Sequence, residues 1–359
     1  MRAADFQAQT LRLALDAGEP GRLARSLAMA SGFATHEGGP ARRRAPELLR
    51  DAERLADVHH DPYASAWLPF ARATSAFGEG RWRECIARCD EALARFRADC
   101  TNVAWELASA QAFSLYALGF LGELRELGRR VEAAHRDAIE RGDLYAAMNV
   151  QTGSSHYVRL AADDDGASRR ESREALRAWS RRGFYQQHLL DLFTQTETDL
   201  YVGDMRGAHA RIQARWPDVE GSQLLLTRMN RAIMFDLAAR TDLGAARLTR
   251  GARRRTLLLS AERRLHAMER LGMRWSSAMA RLLRAGIVSL RDTPVRAAQL
   301  YASAATSLEA EGMKLHASAA RMRAGGLDPR RRDDAARARA RFLEEEVRVP
   351  ERFGAMLAP

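Results

Sequence analysis

Five tight turns, each set between two helix-like apolar runs, recur along this chain of 359 residues and restrict its fold more than any other feature. They are Gly80-Arg81-Trp82, Gly122-Glu123-Leu124, Gly203-Asp204-Met205, Asp242-Leu243-Gly244 and Asp292-Thr293-Pro294-Val295. Their apolar residues Trp82, Leu124, Met205, Leu243 and Val295 lie 42, 81, 38 and 52 positions apart, and the widest gap holds one further turn, Asp163-Asp164-Asp165-Gly166. A unit of about 40 residues with two helices marks a helical-repeat solenoid, in which each hairpin buries its apolar face on its neighbours. Chains of this build bind partners more often than they carry out chemistry.

The distribution of charge sharpens that expectation. Net charge is +11, and Lys314 is the one lysine among 57 basic residues. The segments Asn102–Leu124, Gly142–Val158 and Phe184–Met205 contain no arginine, although an even spread would put about ten there. These segments open three successive hairpins. The arginines fall instead on second helices and loops, as in Arg169-Arg170, Arg253-Arg254-Arg255 and Arg330-Arg331-Arg332. The inner face of the solenoid should therefore be apolar to mildly acidic, through Glu106, Asp191, Glu197 and Asp199, and the outside basic. A nucleic-acid groove needs the reverse arrangement, so nucleic acid is not the expected partner.

Helix starts are marked at Asp61-Pro62, Thr293-Pro294 and Asp328-Pro329, where a capping oxygen precedes proline at the first helical position. Ser168-Arg169-Arg170-Glu171 has capping-box spacing. No alternating strand pattern appears. The reading is one continuous array over 1–359, with an atypical N-terminal cap at 1–60, regular hairpins at 61–311 and a C-terminal cap at 312–359. It has about 14–15 antiparallel helices, and Gly244–Thr256 reads as its least regular part, a loop. The stretch Leu107–Gly122 is too short and too polar to span a bilayer. The start, Met1-Arg2-Ala3-Ala4-Asp5-Phe6, lacks an apolar run, so a cytoplasmic protein is expected.

Two motifs imitate catalytic or metal sites. His135-Arg136-Asp137 spells the catalytic-loop triplet of protein kinases, but Gly142 stands where a magnesium-binding asparagine is needed. The only lysine, Lys314, lies far downstream, Gly78-Glu79-Gly80 lacks a third loop glycine, and Arg352-Phe353-Gly354 is the nearest approach to Asp-Phe-Gly. Cys85 and Cys89 are one helical turn apart, yet with Cys100 and His59-His60 they make no complete ligand set, and they read as small buried apolar residues. No enzyme, metal or cofactor is expected. The six tryptophans, Trp67, Trp82, Trp105, Trp179, Trp216 and Trp275, read as core.

Two polar stripes remain on the arginine-free helices. One holds Gln187, His188, Asp191, Thr194, Gln195 and Thr198; the other holds Tyr145, Asn149, Thr152 and His156. Stripes of this kind on inner helices either grip a peptide backbone or bond neighbouring helices to one another. The candidate partner-binding residues are Tyr145, Asn149, His156, Gln187, His188 and Asp191.

Several stretches resemble the C-terminal, tetratricopeptide-like (TPR-like) region of large bacterial serine/threonine protein kinases, especially those of myxobacteria. They include Glu79-Gly80-Arg81-Trp82-Arg83-Glu84, Asn102-Val103-Ala104-Trp105-Glu106-Leu107-Ala108, Arg141-Gly142-Asp143-Leu144-Tyr145-Ala146-Ala147 and Ala178-Trp179-Ser180-Arg181-Arg182-Gly183-Phe184. Asp199-Leu200-Tyr201-Val202-Gly203-Asp204, Glu311-Gly312-Met313 and the closing Val349–Pro359 continue the match. No kinase domain accompanies them. The resemblance implies an all-α, α-α superhelix (TPR-like solenoid) that binds a protein or peptide as a non-catalytic adaptor or regulatory part of kinase-linked signalling. The alternative is a regulatory segment of a bacterial transcriptional activator, for which the basic exterior would have a use.

Overall fold

The computed structural model describes residues 2–359 except Ser154, Ala178 and Arg181, so two positions of the stretch Ala178–Phe184, one of those that carry the resemblance, lie outside the described residues. Among the described residues the chain is helical throughout, with no strand. The helices are α1 (Arg2–Ala17), α2 (Pro20–Glu37), α3 (Gly39–His59), α4 (Pro62–Glu79), α5 (Trp82–Asp99), α6 (Ala104–Leu121) and α7 (Leu124–Glu140). They continue as α8 (Leu144–Thr152), α9 (Ser155–Ala161), α10 (Asp165–Arg177), α11 (Gln186–Tyr201), α12 (Met205–Gly221), α13 (Arg228–Arg247) and α14 (Gly251–Glu269). The last are α15 (Arg274–Arg291), α16 (Pro294–Ala310), α17 (Lys314–Leu327), α18 (Arg332–Glu344) and α19 (Pro350–Leu357). No helix among the described residues is long and apolar enough to cross a membrane.

The repeat turns form for reasons local to the chain. Gly80, Gly122 and Gly203 adopt left-handed φ values of 81°, 74° and 82°, a conformation that lets the backbone turn straight into the next helix. Asp61 caps α4 by accepting from the Tyr63 and Ala64 amides. Asp204 does the same for α12 through the Gly207 amide. Ser168-Arg169-Arg170-Glu171 proves to lie inside α10, whose cap is Asp164, bonded to the Ala167 amide.

Among the described residues there are 19 α-helices, against the 14–15 expected from periodicity. One inner helix breaks at Gly153, where a Cβ would meet Tyr116 Cε1 at 2.5 Å, so the backbone comes close to an aromatic ring. The C-terminal α19 has only eight residues, too few for a periodic pattern. Asp242-Leu243-Gly244 is not a turn: all three residues are buried within α13, and the real turn is Leu248–Arg250. The expected loop at Gly244–Thr256 is thus almost entirely helical. Of the tryptophans, Trp67, Trp82 and Trp275 are core, whereas Trp105 is 48% exposed and stacks on Trp67.

The first helices of the hairpins face inward and the second helices outward, and the array curves until its two halves meet. Arg228 at the start of α13 donates to the Thr35 carbonyl of α2 at 2.8 Å. Trp82 on α5 packs edge-on against Trp275 on α15, with centroids 5.6 Å apart. Lys314 on α17 pairs with Glu123, in the α6–α7 turn, at 3.0 Å. The closing segment folds back into the middle, and Phe353, Met356 and Leu357 are buried in the main core. Closure is thus built on aromatic packing and a few polar pins, not on repeat-to-repeat stacking alone.

That seam makes a sharp prediction. A Cβ on Gly80 would lie 2.5 Å from Trp275 Cδ1, whereas one on Gly142 (φ 66°) meets nothing within 4 Å. Gly142→Ala should therefore cost only the left-handed strain, about 1 kcal/mol. Gly80→Ala should cost that and a displaced tryptophan, lowering the urea midpoint clearly further and shifting tryptophan emission. Equal midpoints for the two variants would mean that Trp275 does not seat against this turn.

Candidate functional site

The inner helices converge without filling the centre, leaving a cavity of about 440 Å³. Its walls are aromatic: Phe113, Tyr116 and Phe120 from α6, Tyr157 from α9 and Phe193 from α11, all only half-buried although they stand in the interior. The spacing 113, 116, 120 puts three rings on one helical face. Polar groups are few. Gln186 and Asn230 exchange hydrogen bonds at 3.0 and 3.4 Å, and Asn149 and Gln187 also reach the lumen.

A buried cluster of charge lies beneath. Arg240 on α13 is 3% exposed; its Nε donates to Asp236 at 2.7 Å and its Nη2 to Glu197 at 2.5 Å. Its Nη1 donates to the Met356 carbonyl of α19 at 3.0 Å, so one guanidinium joins three helices. His156 stands on the other side of Glu197, with Nε2 2.8 Å from Oε2 and Nδ1 2.8 Å from the Gly153 carbonyl. Arg240 is thus flanked by Asp236 and Glu197, and His156 braces the outer oxygen of Glu197. Such pairing is what makes buried charge tolerable.

The two carboxylates differ. Burial alone would raise Glu197, but Arg240 and His156 override it and hold the acid at about 2. For Asp236, burial outweighs the pull of Arg240 and pushes the acid up to about 6. His316, also lining the cavity, is driven down to about 4 by burial and by Arg240. His36, at the opposite end of the lining, is lowered to about 4 by burial and then by Arg228.

The six candidate residues separate into two places. Tyr145, Asn149, His156 and Gln187 line the central cavity. His188 and Asp191 do not; they border a shallow groove between α10, α11 and α12. A helix turns about 100° per residue, so Gln187 and His188 point apart. His188 accepts from the Tyr185 amide at 3.1 Å, capping its own helix. Asp191 accepts from Ser172 at 2.7 Å, and Thr198 bonds Ser168 at 2.9 Å. This half of the stripe bonds α11 to α10.

Other expectations need correction. The inner acids are not displayed on an open face: Asp199 is held by Arg169 and Arg211, each at 2.7 Å, and Glu106 accepts from the Tyr63 hydroxyl. Nor is the interior free of arginine, since α13 carries Arg228 and Arg240 inward. Cys85 and Cys89 are fully buried within α5, and Asp137 of the kinase-like triplet pairs with Arg141 at 2.9 Å.

A signal for the charged cluster was present in the sequence. His156, Glu197 and Arg240 lie 41 and 43 positions apart, one repeat length each. Gln186 and Asn230 are 44 apart and Thr35 and Ser75 are 40 apart, again one repeat. Polar residues recurring at the repeat length meet on adjacent inner helices. Compared with models of protein families, with curated proteins and with solved structures, the chain matches none.

Proposed function

We propose that this chain is a non-catalytic helical-repeat module that holds a protein or peptide segment in its central cavity, as an adaptor or regulatory part of kinase-linked signalling. The observation that carries the reading is a 440 Å³ space walled by half-buried aromatic rings from successive inner helices. Folded chains seldom leave aromatic rings facing a void unless something fills it, and this volume falls within the range of roughly 300–1,000 Å³ usual for ligand sites. The rings suit an apolar side chain, and Asn149, Gln187, Gln186 and Asn230 offer amides to an extended backbone. Arg240 and Glu197 below are engaged by one another, which suits a fixed wall. The link to kinases rests on the motif resemblance alone.

The test is selection of displayed random peptides on the immobilised protein. Sequences with an apolar anchor should enrich. Ala112 lines the cavity, and Ala112→Trp should cut retention by tenfold or more, about 1.4 kcal/mol, with helical circular dichroism unchanged. Replacing Tyr145, Asn149 and Gln187 with alanine should do likewise, whereas His188→Ala with Asp191→Ala should leave retention intact. Enrichment that survives Ala112→Trp would sink the reading.

A further inference from the structure

A second concavity opens where α2, α3, α4 and the start of α5 meet the start of α13 and the α14–α15 turn, with a volume of about 930 Å³. Eight arginines line it against three glutamates, Glu37, Glu79 and Glu84. Glu79 is shared by Arg42 and Arg81, and it acts on Arg228 deeper in the funnel only through space, without a bond to it. Among the described residues, Arg43, Arg228, Arg231 and Arg270 have no carboxylate within 4.0 Å.

Arg228 forms the base of this funnel. Its residue is 9% exposed, and its bonds run only to backbone carbonyls, Thr35 at 2.8 Å and Leu271 at 3.1 Å. Its Nε is buried and has no partner. Gly38, at φ 84°, lies directly against it: a Cβ there would sit 2.7 Å from the arginine Cδ and 2.8 Å from Nε. A buried guanidinium without an anion is costly, and burial with Arg42 nearby lowers its proton affinity. Arg231, one helical turn on, spends its Nε on the Leu225 carbonyl at 2.8 Å and keeps its outer nitrogens for another acceptor. The planar fork of arginine matches phosphate oxygens in bidentate fashion.

We propose that this funnel binds a compact phosphate-bearing polyanion, gripped by Arg231 and Arg270 over the positive base made by Arg228. The phosphate has two possible sources, a free small molecule or a phosphorylated side chain. Because Arg228 also bonds Thr35 across the seam, an anion here neutralises the charge that the ring closure buries. The site is separate from the central cavity, so its failure would leave the peptide-binding reading untouched.

Calorimetric titration with pyrophosphate at constant ionic strength is the first measurement. Saturable one-to-one binding is expected, weakened by tenfold or more in the double variant Arg231→Gln/Arg270→Gln. The double variant Arg330→Gln/Arg332→Gln, outside the funnel, should bind as the parent does. A phosphoserine peptide and its unphosphorylated form make the second arm. Tighter binding of the phosphopeptide than of pyrophosphate assigns the phosphate to a protein partner; the reverse assigns it to a small molecule. Absence of saturable binding in both arms overturns the proposal. So does equal weakening by the two double variants, since that signature belongs to a diffuse basic surface. Arg270 is exposed and Arg231 is partly buried, and melting temperatures close to the parent's will confirm that the variants fold.

Discussion

Arg240→Met should destabilise the protein by about 3–5 kcal/mol, the range found when one partner is removed from a buried ion pair. Arg240 bonds both Glu197 and Asp236, and the Met356 carbonyl depends on it as well. Methionine fills similar space but supplies no proton. Glu197 would keep only His156, Asp236 would be buried alone, and α19 would lose a pin to α13. The loss should appear as a lower urea midpoint with the helical signal retained below it. Limited proteolysis should cut first in the closing segment 346–359. The triple variant Arg240→Met, Glu197→Gln, Asp236→Leu removes the stranded charges and should recover most of the loss, because an apolar replacement of a whole buried cluster is often neutral. No recovery would mean that the arginine acts through packing, not through charge.

The parts of this architecture that were legible are those written in local chemistry. Gly80, Gly122 and Gly203 each combine a left-handed residue with a polar one and then an apolar one that opens the next helix, so the turns stand out in the sequence. Asp242-Leu243-Gly244 carries the same residue types but is buried inside α13, because tertiary packing overrides a weak turn preference. Ring closure was not legible at all. Arg228 meets Thr35 across 193 positions, and Lys314 meets Glu123 across 191. No periodicity within a repeat encodes such pairs. The candidate site was half legible for the same reason. Asn149 and His156 stand seven apart, the spacing of two helical turns, and both line the cavity although the helix breaks at Gly153 between them. Adjacency in sequence places His188 beside Gln187, and the helix carries it round to another face. Phe113, Tyr116 and Phe120 look like core in the sequence, and only the curvature of the array turns them toward an empty centre.

Stability should fall as pH drops from about 6.5 to 4, and the two buried histidines set the direction. His36 and His316 are both held down to about 4 in the folded protein, against roughly 6.5 when unfolded. Across that window the unfolded chain binds protons that the native state refuses, so acid favours unfolding. Each histidine contributes on the order of 3 kcal/mol over the full interval. Asp236 works in the opposite sense. Its folded value of about 6 lies above the unfolded 3.8, so the native state takes up a proton first and gains stability as pH falls from 6 to 3.8. The two terms together leave a net loss on the order of 3 kcal/mol by pH 4. Glu197, at about 2 in the folded state against 4.5, adds a further loss only below pH 4.5. Urea midpoints at pH 7, 5.5 and 4.5 measure the slope. His316→Gln should flatten it, and Asp236→Asn should steepen it by removing the opposing uptake. A flat profile down to pH 4.5 in the parent would show that His36 and His316 are protonated in the folded state, and the closed interior around them would have to be open to water.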